Sequence, residues 1–259
     1  LNDYFSSVYT ADDGITPDFT CRVNDDCDKL AHINFVPKTL VKICQKLKPK
    51  LSAGPDGYLP YLLKQIVPSV ASVVCMIFQS FLSVGKVPTY WKKAIIMPIH
   101  KKGLSSECSN YRPISLTCVF CKLMEKCVVD EMLKYLLKNN LISKEQHGFL
   151  ARRCTATNLL DSLDDWTLNI ENRRNQVVAY IDFAKAFDSV CHNKLLFKLR
   201  QYGITGSLLA WIADFLTDRS HKTRVSGCMS TALPITSGVV QGSCLGPLLF
   251  LLYINDLLI

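Results

Sequence analysis

The sequence has no repeat period and no low-complexity tract, and its 12 Gly and 11 Pro in 259 residues are too few for a collagen-like chain. No basic stretch followed by an apolar run stands at its start, so no secretory signal is read there. A second close cysteine pair is also missing. Cys118 and Cys121 form the one C-x-x-C, with Cys108 and Cys127 nearby, and no histidine pair stands at ligand spacing, which makes structural zinc a minor reading. Residues 65–85 lack charge altogether, but they do not read as a membrane span. Leu62, Ile66, Val70, Val73, Ile77, Phe81 and Val84 recur at helical spacing, with Ser69, Ser72, Ser80 and Ser83 opposite, which predicts a helix laid on a core by that stripe. Both ends, Leu1 and the apolar Leu257-Leu258-Ile259, look cut, so the sequence is expected to be a fragment.

What is present is globular. Hydrophobic residues make up 49% and charged residues 20%, too apolar for a disordered chain, and the length allows one large domain or two modest ones. The 12 Cys are spread through apolar stretches and read as small core residues of a reducing compartment. The net charge of +8 is unevenly placed: residues 1–30 carry −5, residues 31–153 carry +13, and residues 154–259 balance to 0. A basic block beside a neutral one suggests a polyanion surface on one lobe, or a solvated lysine-rich face.

Residues 1–30 read as a loop-like acidic linker. A helix is predicted from Pro37 to about Lys48, then a turn cluster over Ser52–Gly57. Ala94–Ile99 reads as a strand leading to a basic turn, 115–138 as a helix, and Thr155 to about Asn172 as an amphipathic helix. Val177–Ile181 is a continuous β-prone run, the pattern of a buried strand. Two helices follow, Lys194–Tyr202 and Ser207–Leu216, then short strands within 222–240 and a helix opened by Gly246-Pro247. Helices first, then strands mixed with helices, predict an α+β fold.

Three segments offer chemistry. Asp182 ends the β-prone run, where a carboxylate needs a metal or a cation to neutralise it; a structural ion pair and a metal site are both open. Asp188 reads as a turn or helix-capping residue. Ser237–Pro247 holds three Gly and one Pro, a bent loop that lets backbone approach a phosphorylated or planar ligand. Lys101, Lys102 and Arg112 could grip a triphosphate, or be solvated cations on a hairpin.

Taken in order, the segments SAGPDG (Ser52–Gly57), WKKAIIMPIHKKG (Trp91–Gly103), NYRPISL (Asn110–Leu116), QHGF (Gln146–Phe149), YIDFAKAFDSV (Tyr180–Val190) and GVVQGSCLGPLLFLLYINDL (Gly238–Leu257) closely resemble the reverse-transcriptase domain of non-LTR, LINE-type retrotransposons of the jockey/CR1 sort. The resemblance spans nearly the whole chain. It implies a right-hand polymerase architecture, with residues 1–36 an N-terminal extension, 37–175 the fingers and 176–259 a palm ending before an [FY]-A-D-D hairpin, the thumb absent. It implies that Asp182 is a metal-binding catalytic aspartate, with the carbonyl of Phe183 helping to hold Mg²⁺ in a two-metal site whose other ligands lie outside the sequence. Lys101 and Arg112 then contact the triphosphate, Phe187 crowds a 2′-hydroxyl, and Gln241 and Gly242 line the incoming nucleotide. Arg152 and Arg153 face template or primer backbone. The implied partners are an RNA template, a DNA primer and dNTPs, with no membrane, and an upstream endonuclease domain in the intact polyprotein. Cytoplasm and nucleus are the compartments the family implies. The sequence departs from the family pattern at Val240, where proline is usual, so a looser loop is expected. Asp256 is read as a structural or capping group. A non-catalytic nucleic-acid-binding remnant of a decayed element is the alternative, and an RNA-binding protein using only residues 31–153 a third; the isolated chain is expected not to polymerise.

Overall fold

Pro98 and Pro113 stand directly opposite each other in the hairpin of β1 (Lys93–His100) and β2 (Tyr111–Leu116). Neither can donate to the ladder, and a shared rung without hydrogen bonds is where both are tolerated. On its other edge β1 runs parallel to β3 (Arg219–Val225), but only over Lys93–Ile96, so the pairing stops before Pro98. β4 (Cys228–Met229) and β5 (Leu233–Ile235) both pair antiparallel with β3 and complete a five-stranded sheet. The computed structural model describes residues 1–20, 23, 29–47 and 53–258. Lys48 at the predicted helix end, Ser52 of the turn cluster and Ile259 lie outside them.

Eight helices accompany the sheet among the described residues, so the fold is mixed α and β: α1 (Asn2–Ser7), α2 (Pro37–Gln45), α3 (Pro60–Val84), α4 (Val119–Lys138), α5 (Thr155–Glu171), α6 (His192–Gln201), α7 (Gly206–Leu216) and α8 (Gly246–Ile254). The two helices after residue 190 and the helix opened by Gly246 form where they were predicted. α4 starts later than expected because Ser115 and Leu116 complete β2. One core, with Phe78, Leu123, Met132, Tyr202, Trp211 and Phe215 fully buried, joins α3, α4, α6, α7 and α8.

α3 begins with proline in its first turn and stops at Gly85, whose φ of 68° is the left-handed cap that glycine adopts without strain. A Cβ at Gly85 would stand 2.8 Å from the Cβ of Ala210, so the glycine also permits the close approach of α7. The stripe predicted for its core face is the wrong one. Leu63, Val67, Ala71, Val74, Phe78 and Leu82 are buried, whereas Leu62, Ile66, Val70, Val73, Ile77 and Val84 are exposed and only Phe81 of the predicted set packs against the core. The helix is apolar on more than one side, so two stripes satisfy the same period, and only the position of α2 and α7 selects between them. By length and composition alone α3 could cross a membrane, but its buried stripe is covered by the protein.

The buried strand expected at 177–181 does not form. Val177, Tyr180 and Ile181 are 95%, 84% and 78% exposed on irregular backbone. Strand propensity reports fit to a neighbour, and no strand among the described residues lies beside this segment. α5 likewise buries none of its residues, and Leu159, Leu160 and Leu163 face outward.

The N-terminal segment is tied down rather than loose. Phe5 and Phe19 are buried, the Lys194 ammonium meets Asp13 at 2.6 Å, and Asn193 donates to Asp12. The acidic run therefore answers the basic start of α6, which composition read alone as a linker could not show.

Candidate active site

The Gly-rich turn before α8 is held between β2 and the chain leading into α6. The Ser115 amide donates to the Gln241 carbonyl at 2.8 Å. Gly242 has φ of 120°, and a Cβ there would lie 2.4 Å from the Ser115 carbonyl oxygen, so the contact requires glycine. On the other side the Val239 amide donates to the Phe187 carbonyl and the Gly238 amide to that of Val190, both at 2.8 Å. The Ser237 hydroxyl donates to the Asp188 carbonyl at 2.7 Å, and the His192 Nε2–H to the Gly238 carbonyl at 2.8 Å. Val240 does not leave this turn open: it is buried, and its carbonyl accepts both the amide and the hydroxyl of Ser243.

Glu125 was not anticipated from the sequence. It is fully buried on α4, and one carboxylate oxygen accepts the Cys244 and Leu245 amides at 2.6 and 3.0 Å, where α8 begins. The other accepts the Cys121 thiol at 3.3 Å. A carboxylate suits orphan amides at a helix start. A usable signal existed: Cys121, Glu125 and Val128 share one helix face, so this charge sits on an apolar stripe.

The predicted residues divide into two groups. Phe187, Gln241 and Gly242 come together through the turn. The Phe187 ring stacks on Phe250 at 4.7 Å and meets Phe149 edge-on at 6.0 Å. Lys101, at the loop end of the hairpin, lies near enough to favour the charged form of Asp188. Arg112 is exposed one residue inside that end, opposite Ile99. Asp182 is exposed and joins none of the ion pairs found among the described residues. Phe183 lines a separate cavity of about 270 Å³ with Lys194, Lys198 and Phe250. The Arg153 guanidinium is turned inward onto the carbonyls of Lys144 and Gln146, the latter at 2.6 Å, while Arg152 is exposed. Asp256 is held by the Lys198 ammonium at 2.6 and 2.7 Å, a structural group as read. No three His, Cys, Asp or Glu among the described residues converge as a metal-ligand set. The exposed Asp182 thus offers one carboxylate to a ligand set that these residues do not complete.

Asp188 neither caps α6 nor faces water freely. Burial pushes its carboxyl above the usual range, against the pull of Lys185 and Lys101. Its charged form is therefore disfavoured in the folded state, and its cost to stability is present at neutral pH and gone once both states are protonated. Asp188→Asn is expected to raise the melting temperature at pH 7 and to lose that gain below about pH 3.8, as thermal unfolding across pH would show. His192 moves the opposite way, since burial lowers its pKa despite the bond to Gly238. Its share of stability is complete above about pH 6.5 and declines as the pH falls toward its lowered value.

Residues 99–259 match the family described as "Reverse transcriptase (RNA-dependent DNA polymerase)", and the chain belongs to that family. The relatives it matches include proteins named as RNA-directed DNA polymerases of mobile elements. It is 32% identical over 82% of its length to "RNA-directed DNA polymerase from mobile element jockey" of Drosophila melanogaster. It is 26% identical over 86% of its length to "Probable RNA-directed DNA polymerase from transposon X-element" of the same fly. It is 30% identical over 67% of its length to the "Retrovirus-related Pol polyprotein from type-1 retrotransposable element R2" of Popillia japonica. Within the family the chain is thus a reverse-transcriptase domain of the non-LTR retrotransposon type. It spans 23%, 25% and 24% of the lengths of these three relatives, about a quarter of each.

Proposed function

We propose that this chain supplies the nucleotide-selecting part of an RNA-directed DNA polymerase, with residues 37–175 acting as fingers, 176–259 as part of the palm, and 1–36 as an extension packed on the palm. The observation that carries this reading is the pinning of the Gln241–Gly242 turn to the Phe187 backbone on one side and to β2 on the other. A nucleotide edge and sugar could be measured against such a fixed wall. In the reaction a primer 3′-hydroxyl attacks the α-phosphate of a dNTP; a new P–O bond forms, and the bond to pyrophosphate breaks. Lys101, at the loop end of the hairpin, neutralises the triphosphate, and Arg112, near the same end but on the face turned away from the Gln241 turn, adds its charge at longer range. The Phe187 ring, braced by Phe250, closes the sugar site against a 2′-hydroxyl. The exposed Asp182 carboxylate, with the carbonyl of the next residue, Phe183, would supply oxygen donors of the kind that hard divalent cations take. When bound, such a cation neutralises charge developing on the transferred phosphate. RNA template and DNA primer would be held through their backbones.

One observation favours a second reading, a nucleic-acid-binding unit without catalysis: Asp182 follows an unpaired, exposed segment and belongs to no ligand cluster among the described residues. Sugar discrimination in primer extension by the intact polyprotein separates the two. Phe187→Ala is expected to raise ribonucleotide use relative to deoxynucleotide use by roughly 10- to 100-fold, the scale of a steric contact worth about 1–3 kcal/mol. The ratio is insensitive to how much of the variant folds. No incorporation by the unsubstituted protein would overturn the polymerase reading, and an unchanged ratio would remove Phe187 as the wall of the sugar site.

A further inference from the structure

The register of the sheet places Lys93, Ile95 and Ile99 of β1 on one face, with Lys222 beside Ile95 and Arg112 beside Ile99. The opposite face holds Ile96, Pro113 and Ser115, which border the Gln241 turn. On the first face lies a cavity of about 450 Å³, lined by Pro55, Tyr90, Lys93, Ile95, Lys222 and Met229 among others. No carboxylate lines it, and neither Lys93 nor Lys222 has an ion-pair partner among the described residues. Its aromatic wall is fixed. The Tyr90 hydroxyl donates to the Pro55 carbonyl at 2.6 Å, and the Lys93 ammonium stands 5.2 Å over the ring.

Two unpaired cations beside a concave apolar wall call for an anionic ligand with a flat apolar part. We infer that this cavity binds a segment of single-stranded nucleic acid, with phosphates on Lys93 and Lys222 and a base against Tyr90. An acidic peptide would satisfy the lysines but not the rigid ring and the Ile95 and Met229 floor. The position extends the proposed polymerase reading, on which the nucleic-acid assignment rests in part. Arg112 and the lysines share a face: along the strand direction Arg112 lies six residues from Lys93 and four from the rung of Lys222, about 20 and about 13 Å at roughly 3.3 Å per residue. A nucleic-acid strand engaged by Arg112 near the hairpin's loop end can therefore continue along the sheet into this cavity.

The test is fluorescence anisotropy of the 259-residue chain with a labelled oligouridylate of about 12 nucleotides, within the span single-strand sites cover, and without dNTP. Lys93→Ala with Lys222→Ala is expected to weaken binding about tenfold and to flatten the slope of log affinity against log salt by about 1.4, two phosphate contacts at roughly 0.7 each. Tyr90→Ala is expected to weaken binding about tenfold as well, and Tyr90→Phe, which keeps the ring but loses its bond to Pro55, to weaken it by no more than about threefold. An unchanged slope in the lysine variant, no binding by the parent chain, or displacement of the RNA by polyglutamate at matched charge would each overturn the inference, the last by making the cavity a site for acidic protein. Binding is read here without chemistry, whereas the polymerase reading is tested by incorporation, so the two can fail separately.

Discussion

Glu125→Ala is expected to lower the free energy of unfolding by about 3–5 kcal/mol, the usual cost of removing one member from a buried charged group. The carboxylate does two things at once. It accepts the Cys244 and Leu245 amides at the start of α8, and those donors have no water to turn to once it is gone. It also offsets Arg219, a buried guanidinium that otherwise relies on the carbonyls of Phe215 and Trp91. Glu125→Gln separates the two contributions, because it keeps an acceptor for the amides and removes the charge; it should fall between the parent and the alanine variant. Urea unfolding with an unchanged m-value would measure both. A loss below about 1 kcal/mol for the alanine variant would mean that the amides and Arg219 find other partners, and that the turn is not anchored by α4. A local readout should agree. Amide exchange at Ser115, whose proton is held by Gln241, should accelerate more than exchange in the α7 core around Trp211.

How far such features could be read in advance depended on whether the information was local. β1, α6, α7 and α8 announce themselves through glycine and proline punctuation and short periodic runs, and they form where expected. The site turn was equally legible, since Gly238, Gly242 and Gly246 mark places where backbone must approach backbone, and Gly242 against Ser115 shows why. What failed was non-local. Residues 177–181 have strand composition, but a strand exists only beside another strand. The 60–84 helix carries two apolar stripes, and α7 decides which is inside. Glu125 stands out in the sequence only as a charge on an apolar stripe; its partners belong to the start of α8, more than a hundred residues later. The acidic N-terminal segment looked like a linker because the lysine it meets lies on α6. Composition identifies which residues can interact; only topology assigns their partners.

Asp182 is the converse of Glu125, and the contrast gives the strongest test of function. Its carboxylate is exposed and in none of the ion pairs found among the described residues, so the fold draws nothing from it. Asp182→Ala is therefore expected to leave the unfolding free energy within about 0.5 kcal/mol. Nucleotide incorporation by the intact polyprotein is expected to fall by about a thousandfold or more, equivalent to roughly 4 kcal/mol of lost transition-state stabilisation. Asp182→Asn should be nearly as inactive as the alanine variant, because it keeps the shape and loses the negative charge. If the asparagine variant retained more than about a tenth of the activity, a loss under roughly 1.4 kcal/mol, the charge would not be what the reaction uses. If the alanine variant instead lost more than about 2 kcal/mol of stability, Asp182 would be a structural ion-pair member, the possibility its sequence position left open. A large kinetic loss without a thermodynamic one is the result only a residue reserved for chemistry can give, and Glu125, which is built into the fold, cannot produce it.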